Sequence, residues 1–437
     1  NHTIEMQNID TQIKELLLTN TSLDFPFVKR TLEGLPNKSE ALKKNLQQKL
    51  EQHLLGFAEE VSKLQGTDRY QQCCQQAKAY LKNWMTHIEE VPLSQIKKLC
   101  KRTHLSFLDI GEDFITPTTL YAYAQKYVKG QDAYLRKLSL CLYTHYKRLR
   151  TSDLSLPKAN LLAYGPTGVG KTYSVQVLAD VLGSEFGVIN CNSVVQEGIV
   201  GASLTDVFAE IYQRTGQNLA AVEQSVILFD EFDKLFYSGT YNDRIINELL
   251  NLIDDNGKAT FSTSYYNSKV SHTISTKKIL FLFTGVFDQL NKARINGFVP
   301  SETKTGKKEG IFYDKATRED FLKVIKKREI LGRISDFVAL KPITPAILKE
   351  ILLGDSSPLR SYEHFFKLHN TTLKVEEKAI QKLASYAADK QLGVRGLNSL
   401  LWEILQQDMQ QVQIPTETTE SRKLCIDLPY LKKRINH

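Results

Sequence analysis

Two short stretches carry residue types that can do chemistry on phosphate. The first, GPTGVGKT (165–172), sets Gly165, Gly170, Lys171 and Thr172 at the spacing G-x-x-x-x-G-K-[ST]. Glycines let the backbone, with Pro166, Thr167, Gly168 and Val169, curl so that its N–H groups face an anion. The Lys171 ammonium then reaches the outer phosphates and the Thr172 hydroxyl serves Mg²⁺. The second stretch, VILFDEFDKL (226–235), is an apolar run ending in Asp230-Glu231, 59 residues after Lys171. Asp230 suits Mg²⁺, directly or through water, and Glu231 suits polarising an attacking water, a division of labour that fits phosphoryl transfer. ATP and Mg²⁺ are the cofactors this pair of motifs predicts. The blander alternatives are a glycine-rich turn and a solvated acidic strand end, and the apolar runs directly before each motif weigh against both.

Those residues have to stand at the tips of buried strands. NLLAY (160–164) leads into the glycine-rich loop, and FGVIN (186–190), SVILF (225–229) and KILFLF (278–283) are further unbroken apolar, β-branched runs. Such runs, separated by helical stretches, predict a parallel sheet with helices on both faces. The fold class expected is α/β: a parallel-sheet nucleotide domain, a smaller mainly helical C-terminal domain and an all-α N-terminal domain. The boundaries predicted are 1–112, 113–341 and 342–437. Residues 1–112 read as successive helices, with Leu42, Leu50, Leu54, Leu55 and Phe57 near helical spacing, then Tyr70, Cys74, Ala77, Leu81 and Trp84 on one face. After DFVALKPI (336–343) the pattern returns to helices and ends in a strand at KLCIDL (423–428).

Composition narrows the function classes. The chain has 437 residues, 42% hydrophobic and 24% charged, and no apolar run near the ~18 residues a membrane helix needs. Six scattered cysteines without a C-x-x-C argue against a zinc site or a disulfide framework, and point to the cytoplasm. The formal net charge of +8 is spread through short runs such as KKLCKR (97–102). No basic stripe interleaved with aromatics accompanies it, so nucleic-acid binding is not expected.

A set of motifs in fixed order then resembles one family. YVKGQDAYLRKLSLCLYTHYKRLR (127–150), GPTGVGKT (165–172), EGIVG (197–201), ILFDEFDKL (227–235), ISTKKILFLFTGVFDQL (274–290), ILGRISDFVAL (330–340) and LGVRGLNSLL (392–401) follow the order of the ClpX and HslU unfoldases of the AAA+ superfamily. The likeness covers residues 118–437. It implies that Val128 and Gly130 pack on the adenine, that Thr284 stands near the sensor-1 position and orients water, and that Arg395 is the lid's sensor-2 arginine. Arg333 matches the arginine finger that reaches a neighbouring subunit's γ-phosphate. A finger acting in trans implies a ring, in the family a hexamer that draws polypeptide through a central pore.

The pore loop of that family maps to Gly198, Ile199, Val200 and Gly201, with Ile199 where relatives carry an aromatic; an aliphatic side chain grips over less area. In the insertion 294–310, Asn296-Gly297-Phe298 stands where the family docks on a ClpP-like peptidase through an Ile-Gly-Phe-type loop. The zinc domain that opens ClpX has no counterpart in residues 1–112, and the loop 261–272 lacks the basic cluster of ClpX. The expected activity is ATP-dependent unfolding or remodelling of protein substrates by a ring. Two other readings stay open: a nucleotide-controlled switch or scaffold without threading, and a nucleic-acid motor.

Overall fold

The described residues of this computed structural model are 66–87, 90–196, 203–237, 242–290, 315–416 and 420–435. The expected helix around Leu42–Phe57, the loop Gly198–Gly201 and the segment Asn296–Phe298 lie outside them. The chain divides into one unit up to Tyr123 and a second from Ala124 onward.

In the first unit, helices α1 (Asp68–His87) and α2 (Leu93–Thr103) bury the faces their spacing predicts. Tyr70, Cys74, Ala77 and Leu81 of α1 are buried, as are Leu93, Ile96, Leu99 and Cys100 of α2. The Tyr70 hydroxyl donates to Asp109 at 2.8 Å and accepts from the Ser106 amide at 3.0 Å, which lets a phenol sit in an apolar core at little cost.

The second unit is built on five parallel strands. They are β1 (Leu161–Tyr164), β2 (Phe186–Asn190), β3 (Val226–Asp230), β6 (Leu280–Gly285) and β7 (Asp336–Ala339), in the order β2-β3-β6-β1-β7. Every residue of β1 and β6 is buried, as strands covered on both faces require. The expected runs are placed within two residues at each end. Helices α3 (Asp132–Arg150), α4 (Lys171–Val181) and α5 (Asn242–Ile253) belong to this layer, and α6 (Arg318–Ile325) and α7 (Arg328–Gly332) precede β7. A core of phenylalanines packs against the tips of β3 and β6: Phe229 stacks on Phe283 at 5.2 Å, and Phe232 lies 4.6 Å from Phe283.

Residues 261–272, read as a loop, instead form most of a hairpin of β4 (Lys258–Tyr265) and β5 (Ser268–Ser275). Its two turn residues, Tyr266 and Asn267, have φ of 44° and 66°, the positive values a tight turn with the strands' own twist demands. Ala259, Phe261 and Ile274 face inward while Thr260 and Thr273 pair outside. The turn lacks the glycine that usually announces such a hairpin, and polar residues dominate both strands.

Beyond β7, helices α8 (Pro345–Leu353), α9 (Glu377–Asp389) and α10 (Gly393–Gln410) close a separate apolar cluster that includes Leu348, Ile380, Leu383, Leu397 and Leu401. The expected C-terminal strand is β9 (Arg422–Ile426). Its parallel partner β8 (Thr371–Val375), not anticipated from the sequence, pairs along its full length.

Candidate nucleotide site

The loop after β1 is shaped by glycines that no other residue replaces without strain. Gly165, Gly168 and Gly170 have φ of 144°, 73° and 94°. Gly170 caps α4, so the amides of that helix's first turn face the loop's hollow. Lys171 is buried, and its Nζ donates to the carbonyls of Gly165 at 3.1 Å and Pro166 at 3.2 Å. Burial draws its pKa down, while Asp230, Asp233 and Glu231 nearby hold the charge in place. Thr172 is the next residue on α4 and is partly exposed; Val169 is buried, while Thr167 and Gly168 are exposed.

The acidic pair stands at the carboxyl end of β3, beside the end of β6, because the register sets Phe229 against Phe283. Asp230 Oδ1 accepts from the Thr284 hydroxyl at 3.0 Å and from the Glu231 amide at 2.9 Å. Its Oδ2 has no hydrogen-bond partner among the described residues. Glu231 takes a left-handed backbone, φ 52°, which swings its side chain off the strand line, and its Oε2 is buried without a partner. A carboxylate oxygen left this way is available to a water.

Two close approaches bring surrounding elements onto the loop, and a third joins the segment beside Val128 to α8. A Cβ on Gly170 would come within 3.1 Å of Val128, so that valine closes the loop from one side. Gly130, φ 77°, has no room for a Cβ, which would meet Ile347 of α8 at 2.5 Å. At Gly393, φ 61°, the start of α10 touches the loop, where a Cβ would lie 3.0 Å from the Gly168 carbonyl; Val394 N donates to that same oxygen at 3.4 Å. Arg395, one residue on, is exposed on the first turn of α10. Val128, the loop 165–172, Asp230, Glu231 and Thr284 are thus drawn together, with Gly130 two residues from Val128 and Arg395 two residues from Gly393.

Arg333 is not. It caps α7 next to the amino end of β1, since Leu161 pairs with Asp336, whereas the phosphate loop leaves the carboxyl end. Its guanidinium pairs with Asp254 and Asp255, just past the end of α5, at 2.6 Å each.

Two site residues escaped the sequence reading. Tyr134 of α3 is fully buried and its hydroxyl donates to the Lys171 carbonyl at 2.7 Å, pinning the base of α4. Buried Asp233 accepts from the Phe287 amide at 3.4 Å, while its own carbonyl accepts from Gln289 Nε2 at 3.0 Å, so it ties the acidic turn to the segment after β6. The repeated acid in DEFDK was a signal for Asp233; Tyr134 had none beyond its place in the motif 127–150.

Comparison with known proteins agrees with this geometry. The family described as "ATPase family associated with various cellular activities (AAA)" matches residues 161–298, which run from β1 past the acidic pair and β6. The protein named "ATP-dependent Clp protease ATP-binding subunit ClpX" of Treponema denticola is 28% identical over 313 residues, covering 66% of this chain and 75% of the relative. That of Borrelia duttonii is 29% identical over 321 residues, 68% of this chain and 74% of its own. That of Bacteroides thetaiotaomicron is 26% identical over 373 residues, 80% and 87%. The chain is an ATPase that resembles ClpX. Nucleotide binding by this ClpX-like ATPase follows, and among the described residues no helix is long and apolar enough to cross a membrane.

Proposed function

We propose that this ATPase works as a homohexameric ring that spends ATP, with Mg²⁺, on drawing polypeptide substrates through a central pore and unfolding them. The observation that carries the ring is the place of Arg333. From Asn160, beside it, to Gly165 at the loop is five residues of extended chain, roughly 16 Å at ~3.3 Å per residue. At that end of the strand Arg333 is far from its own phosphate loop, and on this reading it serves a neighbouring subunit's nucleotide.

The residues fit the nucleotide and metal. The positive φ of Gly168 and Gly170 keeps side chains off the loop, and Glu231 Oε2 is buried without a hydrogen-bond partner among the described residues. Lys171 and the α4 amides would hold the phosphates, Thr172 and Asp230 the metal, and Val128 and Gly130 the base. Bound Mg²⁺ would neutralise charge on the phosphate oxygens as it develops. Glu231 orients and deprotonates the attacking water, Thr284 fixes Asp230 beside it, and Arg395 and the neighbour's Arg333 supply positive charge at the transferring group.

On this reading residues 113–341 form the large nucleotide domain and 342–437 the lid, with contact at Gly130–Ile347 and Gly168–Gly393 carrying the state of the phosphates to the lid. Residues 1–112 select substrate or adaptor, and the loop Gly198–Gly201 grips the chain through Ile199. The relatives' name joins an ATP-binding subunit to a protease. Asn296-Gly297-Phe298 would be the docking segment for such a peptidase, with the cytoplasm, where six unpaired cysteines persist, as the setting.

The experiment follows loss of native fluorescence from a substrate-fused reporter alongside ATP consumed by the same sample. Ile199→Ser should leave basal ATPase nearly intact and abolish unfolding, while Ile199→Tyr preserves or strengthens it. Unchanged remodelling by Ile199→Ser rules out threading and leaves a nucleotide-controlled switch.

A further inference from the structure

The turn that carries Arg333 is held by side chains that belong neither to the phosphate loop nor to the acidic pair. α7 ends at Arg333 (φ −93°, ψ −8°), and the last carbonyls of a helix lack partners within it. Here the carbonyls of Leu331, Arg333 and Ile334 are each met by a side-chain donor. Arg318 gives Nη1 to Leu331 O at 2.7 Å and Nη2 to Ile334 O at 3.1 Å. Asn160 gives Nδ2 to Arg333 O at 3.0 Å.

Both donors are themselves fixed. Asn160 is buried; its Oδ1 accepts from the Phe281 amide of β6 at 3.2 Å, and its backbone is tied to Ser335 through Ser335 N to Asn160 O at 2.8 Å and Asn160 N to Ser335 Oγ at 3.3 Å. A buried amide is retained at a cost unless its polar atoms are used, and both of its ends are. Arg318 opens α6 directly after a capping box, in which Thr317 and Asp320 exchange bonds, and its guanidinium lies 5.1 Å over the Phe337 ring of β7.

We infer that Asn160 and Arg318 are positioning residues for Arg333. They fix the peptide from which the guanidinium projects, so the side chain alone moves when it leaves Asp254 and Asp255 for a neighbouring subunit's nucleotide. A charge delivered on a rigid stem is preorganised for the transition state. Asn160 adds a second consequence, because it binds that stem to β1 and β6, whose far ends bear the same subunit's phosphate loop and Thr284. This inference rests on the reading of Arg333 as a finger acting in trans.

The test uses the full chain. Arg318→Met keeps the stem over Phe337 and removes both bonds at an exposed position, so the fold is not at stake; Asn160→Ala is the companion variant. Because a misplacement of ~1 Å can cost on the order of 10²-fold, kcat for ATP should fall about tenfold or more with KM within about threefold of the parent. Mixing Arg318→Met with Glu231→Gln subunits should restore turnover, since an intact Glu231 then meets a well-held Arg333 across the interface. Adding Arg318→Met to Arg333→Ala should slow it no further. Parent-like kcat in both variants, no recovery on mixing, or a further loss in the double variant each overturns the inference. If Arg333→Ala turns over like the parent, the trans reading itself fails and the inference with it. An impaired Arg333→Ala beside parent-like Arg318→Met and Asn160→Ala removes the inference alone.

Discussion

Glu231 occupies a backbone region that costs an L-residue with a long side chain roughly 1–2 kcal/mol, and its buried Oε2 has no hydrogen-bond partner. Both features stay in place because β3, the amide bond to Asp230 and the packed Phe232 over-determine the turn. Glu231→Gln should therefore keep nucleotide affinity, measured by calorimetry, and lose ~10² to 10⁴ in phosphate release, because the amide copies the shape without the basicity. Phosphate release equal to the parent would remove Glu231 from the chemistry. At this scale the sequence was informative where spacing is itself the geometry: Gly165 to Thr172 is one contiguous loop, and Asp230-Glu231 one strand tip. It was silent where a contact joins distant positions. Tyr134 meets the Lys171 carbonyl across 37 residues, and Asn160 meets Arg333 across 173.

Helix α3 packs on the sheet through a face that includes His145, fully buried, with Nε2 donating to the Gln224 carbonyl at 3.2 Å and Nδ1 unpartnered. Burial lowers its pKa to about 4 from the ordinary 6.5. The unfolded chain then binds more protons than the folded one between those values, so stability is full above about 6.5 and is lost as the pH falls toward 4. Between pH 7 and pH 5 this one imidazole should remove about 2 kcal/mol. In urea melts at the two pH values, His145→Gln should shrink the difference by about that amount; an undiminished difference would sink the assignment. The lid's approach to the phosphate loop is the second element-scale device. Gly393→Ala places a Cβ against the Gly168 carbonyl at a positive φ. It should lower kcat about tenfold while leaving the melt within a few degrees, as a lid pushed off the loop by part of an ångström loses alignment before stability. Parent-like kcat would mean the contact carries nothing. The parallel strands were legible here because buried runs are apolar throughout. The β4–β5 hairpin and β8 were not, since their residues are largely exposed and polar and their pairing, not their composition, makes them strands.

At the scale of the whole molecule, Arg333 divides the reading of one subunit from the reading of many. In the free chain its guanidinium is held by Asp254 and Asp255, both largely exposed, so the pair is screened by water and salt and contributes little to stability. In the proposed ring, a neighbour's triphosphate would therefore claim the arginine without a large penalty. Light scattering with ATP and Glu231→Gln subunits should report a closed oligomer, and a monomer at every concentration would defeat the ring. Sequence order conveyed the sheet-then-lid arrangement, but the β8–β9 pairing came only with the fold. That pairing has a consequence for how the molecule is made. A parallel pair cannot form until the chain between its strands has been traversed, and here Thr371–Val375 waits for Arg422–Ile426. A ribosome delivers those residues at ~5–20 per second, and each domain folds as its own residues emerge. For several seconds a nascent chain thus holds a finished phosphate loop and acidic pair without the second strand that seals the lid core. Vectorial synthesis should therefore postpone closure of the C-terminal apolar cluster, which includes Leu373 and Ile426, until the polypeptide has passed Ile426.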